Sequence, residues 1–109
     1  MSTRSLRRFR AAAFARQHGR CYYCKKPMWL HDPAAFGAEH GVTPRQARQL
    51  RCTAEHLRAR QDGGRDTLDN IVAAHLACNR GRHRRKVPPS PERWKEIRTR
   101  QWRVAAHSG

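Results

Sequence analysis

Acidic residues are scarce in this chain. Asp and Glu number 8 among 109 residues against 24 Lys and Arg, giving a formal net charge of +16 and an isoelectric point near 11.5. Self-repulsion of that size is tolerated best beside a polyanion, so nucleic acid is the first partner to consider. A merely soluble basic surface and a membrane-surface binder are the plainer alternatives. Long apolar runs are missing as well, since no segment approaches the roughly 20 apolar residues that a bilayer span requires. Residues 1–20 alternate arginines with short apolar pieces and have no continuous hydrophobic stretch before a cleavage site. That pattern predicts no secretory signal and a cytoplasmic, reducing compartment. Internal repeats and low-complexity linkers are lacking too, and the length predicts one domain over residues 1–109. A domain this small buries a limited share of its surface and benefits from a staple.

Four cysteines are present, at positions 21, 24, 52 and 78. In a reducing compartment they remain thiols or thiolates, and metal ligation is favoured over disulfides. Cys21-x-x-Cys24 and His75-x-x-Cys78 each offer two soft or borderline ligands, and tetrahedral zinc accepts three sulfurs and one imidazole. A redox role for the first pair would call for a βαβ pattern, which the sequence does not show. Cys52 competes with His75 for the fourth place. It falls in an apparent strand, where an inert buried thiol is the simpler reading, and His75 is preferred.

Along the chain, residues 5–17 place Leu6, Phe9, Ala13 and Phe14 on one face with arginines around the rest, a basic amphipathic helix ending near Gly19. Residues 20–29 carry the first knuckle, where Pro27 blocks a helix. Residues 30–42 read as a loop, and Thr43-Pro44 as the cap and first residue of a short helix through Arg51, the whole insertion being peripheral. Residues 52–57 predict a strand, 62–66 a turn around Gly63-Gly64, 71–74 a second strand, and 76–85 a helix. After Pro88-Pro89, Ser90-Pro91 opens a last helix, with Trp94, Ile97, Arg98, Gln101, Trp102 and Ala105 at helical spacing and the tryptophans directed to the core.

Two Glu-His pairs compete for a chemical role. Glu39-His40 sits between glycines without a strand pattern, whereas Glu55-His56 closes a strand and precedes the Gly-Gly turn, so the second is chosen. An imidazole titrating near 6.5 can take a proton from water at neutral pH if a metal and a phosphate lie within reach. Glu55 and Asn79 offer oxygen ligands suited to magnesium or manganese. Asn79 directly follows Cys78, so a structural zinc would fix the start of the helix that carries it. His83 lies four residues further on the same face and is open to three readings: cation ligand, phosphate contact or solvated side chain. Arg58, Arg60, Arg65, Arg80, Arg82, Arg84, Arg85 and Lys86 can neutralise phosphates, and without an evident reader of base edges they predict affinity more than sequence specificity.

Taken in order, Glu55-His56, Gly63-Gly64, residues 70–74 beginning at Asn70, and Cys78-Asn79 resemble the HNH endonucleases, the ββα-metal group with a zinc knuckle. The resemblance spans residues 20–86. It implies an α+β fold, a small zinc-stapled ββα-metal core flanked by N-terminal (1–19) and C-terminal (88–109) helices. It also implies metal-dependent hydrolysis of DNA phosphodiesters, with duplex DNA as the expected partner. Carried over, His56 is the general base, Asn70 holds the loop that bears the base, and Asn79 ligates a catalytic cation (Mg2+, Mn2+ or another divalent ion). Zn2+ is structural. Glu55 stands where the family more often has Asp, a change that preserves the charge but lengthens the arm. His75 stands where the family often has a third knuckle cysteine. Two other readings remain: a zinc-knuckle module that binds nucleic acid without cutting it, and an RNA-binding ribosome-associated protein. Oligomeric state is open.

Overall fold

The computed structural model describes residues 3–108, with side chains described through residue 101. Helix α1 (Thr3–Arg16) presents Ala13, which is fully buried, flanked by half-buried Leu6, Phe9 and Phe14. The chain then turns through His18 and Gly19, both at positive φ, where Phe14 packs against Gly19. A tight knuckle follows. Arg20 bridges to Pro27, the Cys21 N–H donates to the Lys26 carbonyl, and Lys25 takes the left-handed conformation at the tip.

The insertion after the knuckle differs from the expected loop, because residues 33–40 form helix α2 (Pro33–His40). Asp32 caps it by accepting from Ala35 N at 3.0 Å, Pro33 supplies the pre-set φ of a first turn, and Gly41 at φ +66° closes it. The Pro and Gly that suggest a loop are therefore helix punctuation. Glu39-His40 consequently ends a helix, away from the strands. Helix α3 (Pro44–Gln49) begins as the sequence predicts, with a reciprocal capping box between Thr43 and Gln46. The insertion packs mainly on itself, α2 against α3, and is tied to the knuckle segment by Trp29, which donates from Nε1 to Ala47 O at 2.6 Å.

Strands β1 (Cys52–His56) and β2 (Ile71–His75) pair antiparallel, with Glu55 opposite Val72 and His56 opposite Ile71. Every residue of β2 is buried, so the hairpin sits inside the molecule with α1 packed on it. Helix α4 (Leu76–His83) leaves β2 without a connecting loop, and α5 (Pro91–Ser108) starts at Ser90, whose Oγ accepts from Arg93 N. Trp94 of α5 is buried and donates to Cys78 O at 2.8 Å, while its ring lies so close to Gly81 that a Cβ there would sit 2.8 Å from Cζ2. Trp102, the other tryptophan of this helix expected in the core, lies outside the residues whose side chains are described. The core joins Ala13, Tyr23, Met28, Ala73, Ala74 and Trp94 to all four cysteines. No helix among the described residues is long and apolar enough to cross a membrane.

Candidate metal cluster and catalytic pocket

Where the knuckle meets the root of the hairpin, Cys21, Cys24, His75 and Cys78 place one ligand atom each within 4.8 Å of all the others, and all four are buried. The His75 ring nitrogen Nε2 faces the Pro27 carbonyl at 2.7 Å and so carries the proton, which leaves the Nδ1 lone pair toward Cys24 Sγ at 3.2 Å and Cys78 Sγ at 3.8 Å. Backbone N–H of His75 and Nε of Arg98 donate to the sulfurs of Cys21 and Cys78. Hydrogen bonding with the thiols of Cys21 and Cys24, and then burial, push the Cys78 thiol well up. A dication bound by these four residues would favour their thiolate forms. Zn–S bonds of about 2.3 Å space tetrahedral ligands by less than about 4 Å, so the set fits zinc after a small inward shift. Cys52 is not in this cluster. Burial raises its thiol to about 12, an inert core residue.

At the far end of the hairpin a cavity of about 640 Å3 is lined by Glu55, His56, Arg60, Asn79, His83, Arg85 and Lys86 together with Ala54, Ala59, Gln61 and Pro88. Glu55 and His56 both line this cavity, Glu55 almost fully buried and His56 half-buried. Glu55 Oε2 accepts from the Tyr23 hydroxyl at 2.9 Å and from Arg82 Nη1 at 3.3 Å, and Oε1 faces His83 Nε2 at 2.9 Å. Burial, followed by the adjacent Glu55 charge, pushes the Tyr23 phenol far up, so it acts as a donor. Asn79 donates from Nδ2 to Thr53 Oγ1 and Ala54 O, which leaves Oδ1 as its accepting atom.

The loop between the strands is closed on itself. Asn70 accepts from Arg58 N at 2.8 Å and donates to the carbonyls of Arg58 and Arg65 at 3.1 and 2.9 Å. Gly64 packs directly beneath Arg58, where a Cβ would fall 1.7 Å from that carbonyl oxygen. This folding brings Asp66 back over His56: Oδ1 lies 2.5 Å from Nε2, and Oδ2 accepts from Arg60 Nη2 at 3.2 Å. The hydrogen bond from His56, reinforced by Arg60, holds the Asp66 carboxyl below the usual carboxylate range.

One sequence expectation needs correction. Arg82, expected among the phosphate contacts, is buried, and its guanidinium donates to Glu55, Tyr23 and the carbonyls of His56, Leu57 and Pro89. It locks α4 to β1. Arg58, Arg60, Arg65, Arg80, Arg84, Arg85 and Lys86 are exposed. Tyr23, inside the Cys-x-x-Cys knuckle, and Asp66, at the end of the 62–66 turn, carry no signal of a site role in the sequence, yet both contact the pocket residues.

A two-stranded hairpin running straight into a helix, with a buried Cys3His cluster at one end and a polar, basic-rimmed pocket at the other, defines a small ββα protein with a site that could hold a metal. Residues 21–85 match the family model of the HNH endonucleases, and the chain belongs to that family. Membership points to nuclease-type chemistry on nucleic acid. Comparison with curated proteins and with solved structures gives no match.

Proposed function

We propose that this protein is a metal-dependent DNA endonuclease that hydrolyses phosphodiester bonds, with His56 as the general base and Zn2+ held by Cys21, Cys24, His75 and Cys78 as a structural staple. The observation that carries the reading is the convergence of Glu55, His56, Asn79 and His83 on one pocket rimmed by Arg60, Arg85 and Lys86. His56 takes a proton from the attacking water, and Asn70 keeps the loop beyond His56 closed. Glu55 Oε1, Asn79 Oδ1 and His83 Nε2 would hold a divalent cation, which would take the place of the proton shared between His83 Nε2 and Glu55 Oε1. Two oxygens and an imidazole suit Mn2+ or another borderline ion, and also Mg2+ with water completing its shell. When bound, such a cation supplies Lewis-acid stabilisation of the phosphorane charge and of the departing 3′ oxygen. A basic groove lined by Arg80, Arg84, Arg85 and Arg98 shares Arg85 with the pocket and offers a path for the flanking backbone of duplex DNA.

A single assay tests the proposal: plasmid nicking with magnesium, manganese, nickel or EDTA, comparing wild type with His56→Ala. Loss of roughly 10²–10⁴-fold in the variant, with DNA binding and zinc content unchanged, is the expected outcome. Undiminished cleavage removes His56 from the role. A second reading, a zinc-knuckle module that binds without cutting, is favoured by the Arg82 and Tyr23 contacts that already engage Glu55 Oε2. It predicts DNA binding by wild type with no scission in any cation.

A further inference from the structure

We propose that Asp66 is the positioning residue of His56: its carboxylate fixes the proton on Nε2 and leaves Nδ1 as the nitrogen that accepts the proton from water. The inference rests on the reading of His56 as general base and adds a residue to it.

The contact is short and sheltered. Asp66 Oδ1 lies 2.5 Å from His56 Nε2, with the His56 and Asp66 side chains only 13% and 8% exposed. A carboxylate at that distance from an imidazole nitrogen requires a proton between them, so the neutral ring is the Nε2–H tautomer. One competing contact exists, because Arg60 Nε also points at His56 Nε2, at 3.4 Å. Nε2 has a single in-plane hydrogen-bonding site, and 3.4 Å lies beyond the usual range of about 2.7–3.2 Å for an N–H donor. The carboxylate therefore holds the site. The closer Arg60 contact goes to Asp66 Oδ2, which steadies the carboxylate on its other side.

The loop is built to deliver this residue. Asn70 ties down the Arg65 carbonyl, immediately before Asp66, and the absence of a side chain at Gly64 lets the chain pass under Arg58. The water O–H bond breaks and its proton goes to Nδ1, the oxygen lone pair forms the new P–O bond, and the bond to the 3′ oxygen breaks with its electron pair leaving on that oxygen. Asp66 receives no proton. It faces the imidazolium that forms and stabilises its charge.

The test uses the full zinc-loaded chain labelled with ¹⁵N at histidine, as wild type, Asp66→Asn and Asp66→Glu, each assayed for nicking and for the His56 ring signals. Wild type is expected to show Nε2–H with a strongly downfield proton and an unprotonated Nδ1. In Asp66→Asn the downfield signal disappears and the Nδ1–H form becomes populated, while kcat falls about 10²-fold, within the range of general-base catalysis, and KM changes less than about twofold. Asp66→Glu restores part of both. Unchanged ring signals or unchanged kcat in Asp66→Asn would overturn the role of Asp66 while leaving His56 as base. Wild type that fails to nick DNA with magnesium, manganese or nickel overturns the underlying reading instead, whatever the ring signals show.

Discussion

Arg82 and Glu55 meet at 3.3 Å inside the protein, both almost fully buried, and join helix α4 to strand β1 beneath the pocket. Removing one partner of such a pair leaves an uncompensated charge. Arg82→Met is therefore expected to lower stability by about 3–5 kcal/mol, read as an earlier midpoint in urea. A midpoint within experimental scatter of wild type would contradict the burial of this pair.

The exposed arginines behave differently. Arg80→Ala and Arg84→Ala are each expected to leave the urea midpoint nearly unchanged. Each should reduce the slope of log K against log salt for duplex DNA by about 0.9. If neither slope changes, α4 does not lie along the phosphates.

Zinc and fold are expected to be lost together. Elemental analysis should give about one zinc per chain, and Cys21→Ser or a strong chelator should abolish both the metal and the cooperative melt. Cys52→Ser should retain the zinc, because Cys52 stands outside the ligand cluster. Zinc retained and a melt unchanged in Cys21→Ser would remove the cluster from the account of stability.

Cys52 also gives a pH dependence. Burial raises its thiol from an ordinary 9.0 to about 12, so above pH 9 the unfolded chain releases this proton while the folded one keeps it. Its contribution to stability is fully present below pH 9 and is lost as pH rises toward 12. Cys52→Ala should flatten that part of the stability profile, measured between pH 9 and 11. An equally steep decline in the variant would assign the effect to other groups.

The two loop glycines should separate cleanly. Gly64→Ala is expected to cost at least about 2 kcal/mol, on the order of 10 °C in Tm, because the added carbon would collide with the Arg58 carbonyl. Gly63→Ala meets only the flexible end of Arg58 and is strained by its φ of +87°, a cost of about 1 kcal/mol. Thermal melts of the two variants decide the order.

The hairpin, the helix that follows it and the knuckle were legible because each is set by local spacing: Cys-x-x-Cys fixes a turn, alternation fixes a strand, and Ser90-Pro91 fixes a helix start. Helix α2 was hidden because Pro33 and Gly41 mark loops and helix ends alike, and only the Asp32 cap decides between them. Arg82 could have been found. It lies four residues after Cys78, on the same helical face, so a buried Cys78 draws it inward just as Asn79 carries His83 toward the pocket. Asp66 left no such signal, since which residue of a closed loop returns to the strand depends on how Gly64 and Asn70 fold it.

The hairpin has one more property. A pair of strands normally exposes a row of unpaired backbone groups on each outer edge, open to addition of a strand from another molecule. Here Gln17 uses both ends of its amide on Ala73 N and O, Arg16 donates to Ile71 O, Tyr22 N reaches Ala73 O, Cys52 N is taken by Trp29, and Asn79 and Arg82 cover Ala54 O and His56 O. Side chains and neighbouring backbone thus stand in for the missing third and fourth strands, and a sheet of only two members leaves little room for β-type self-association.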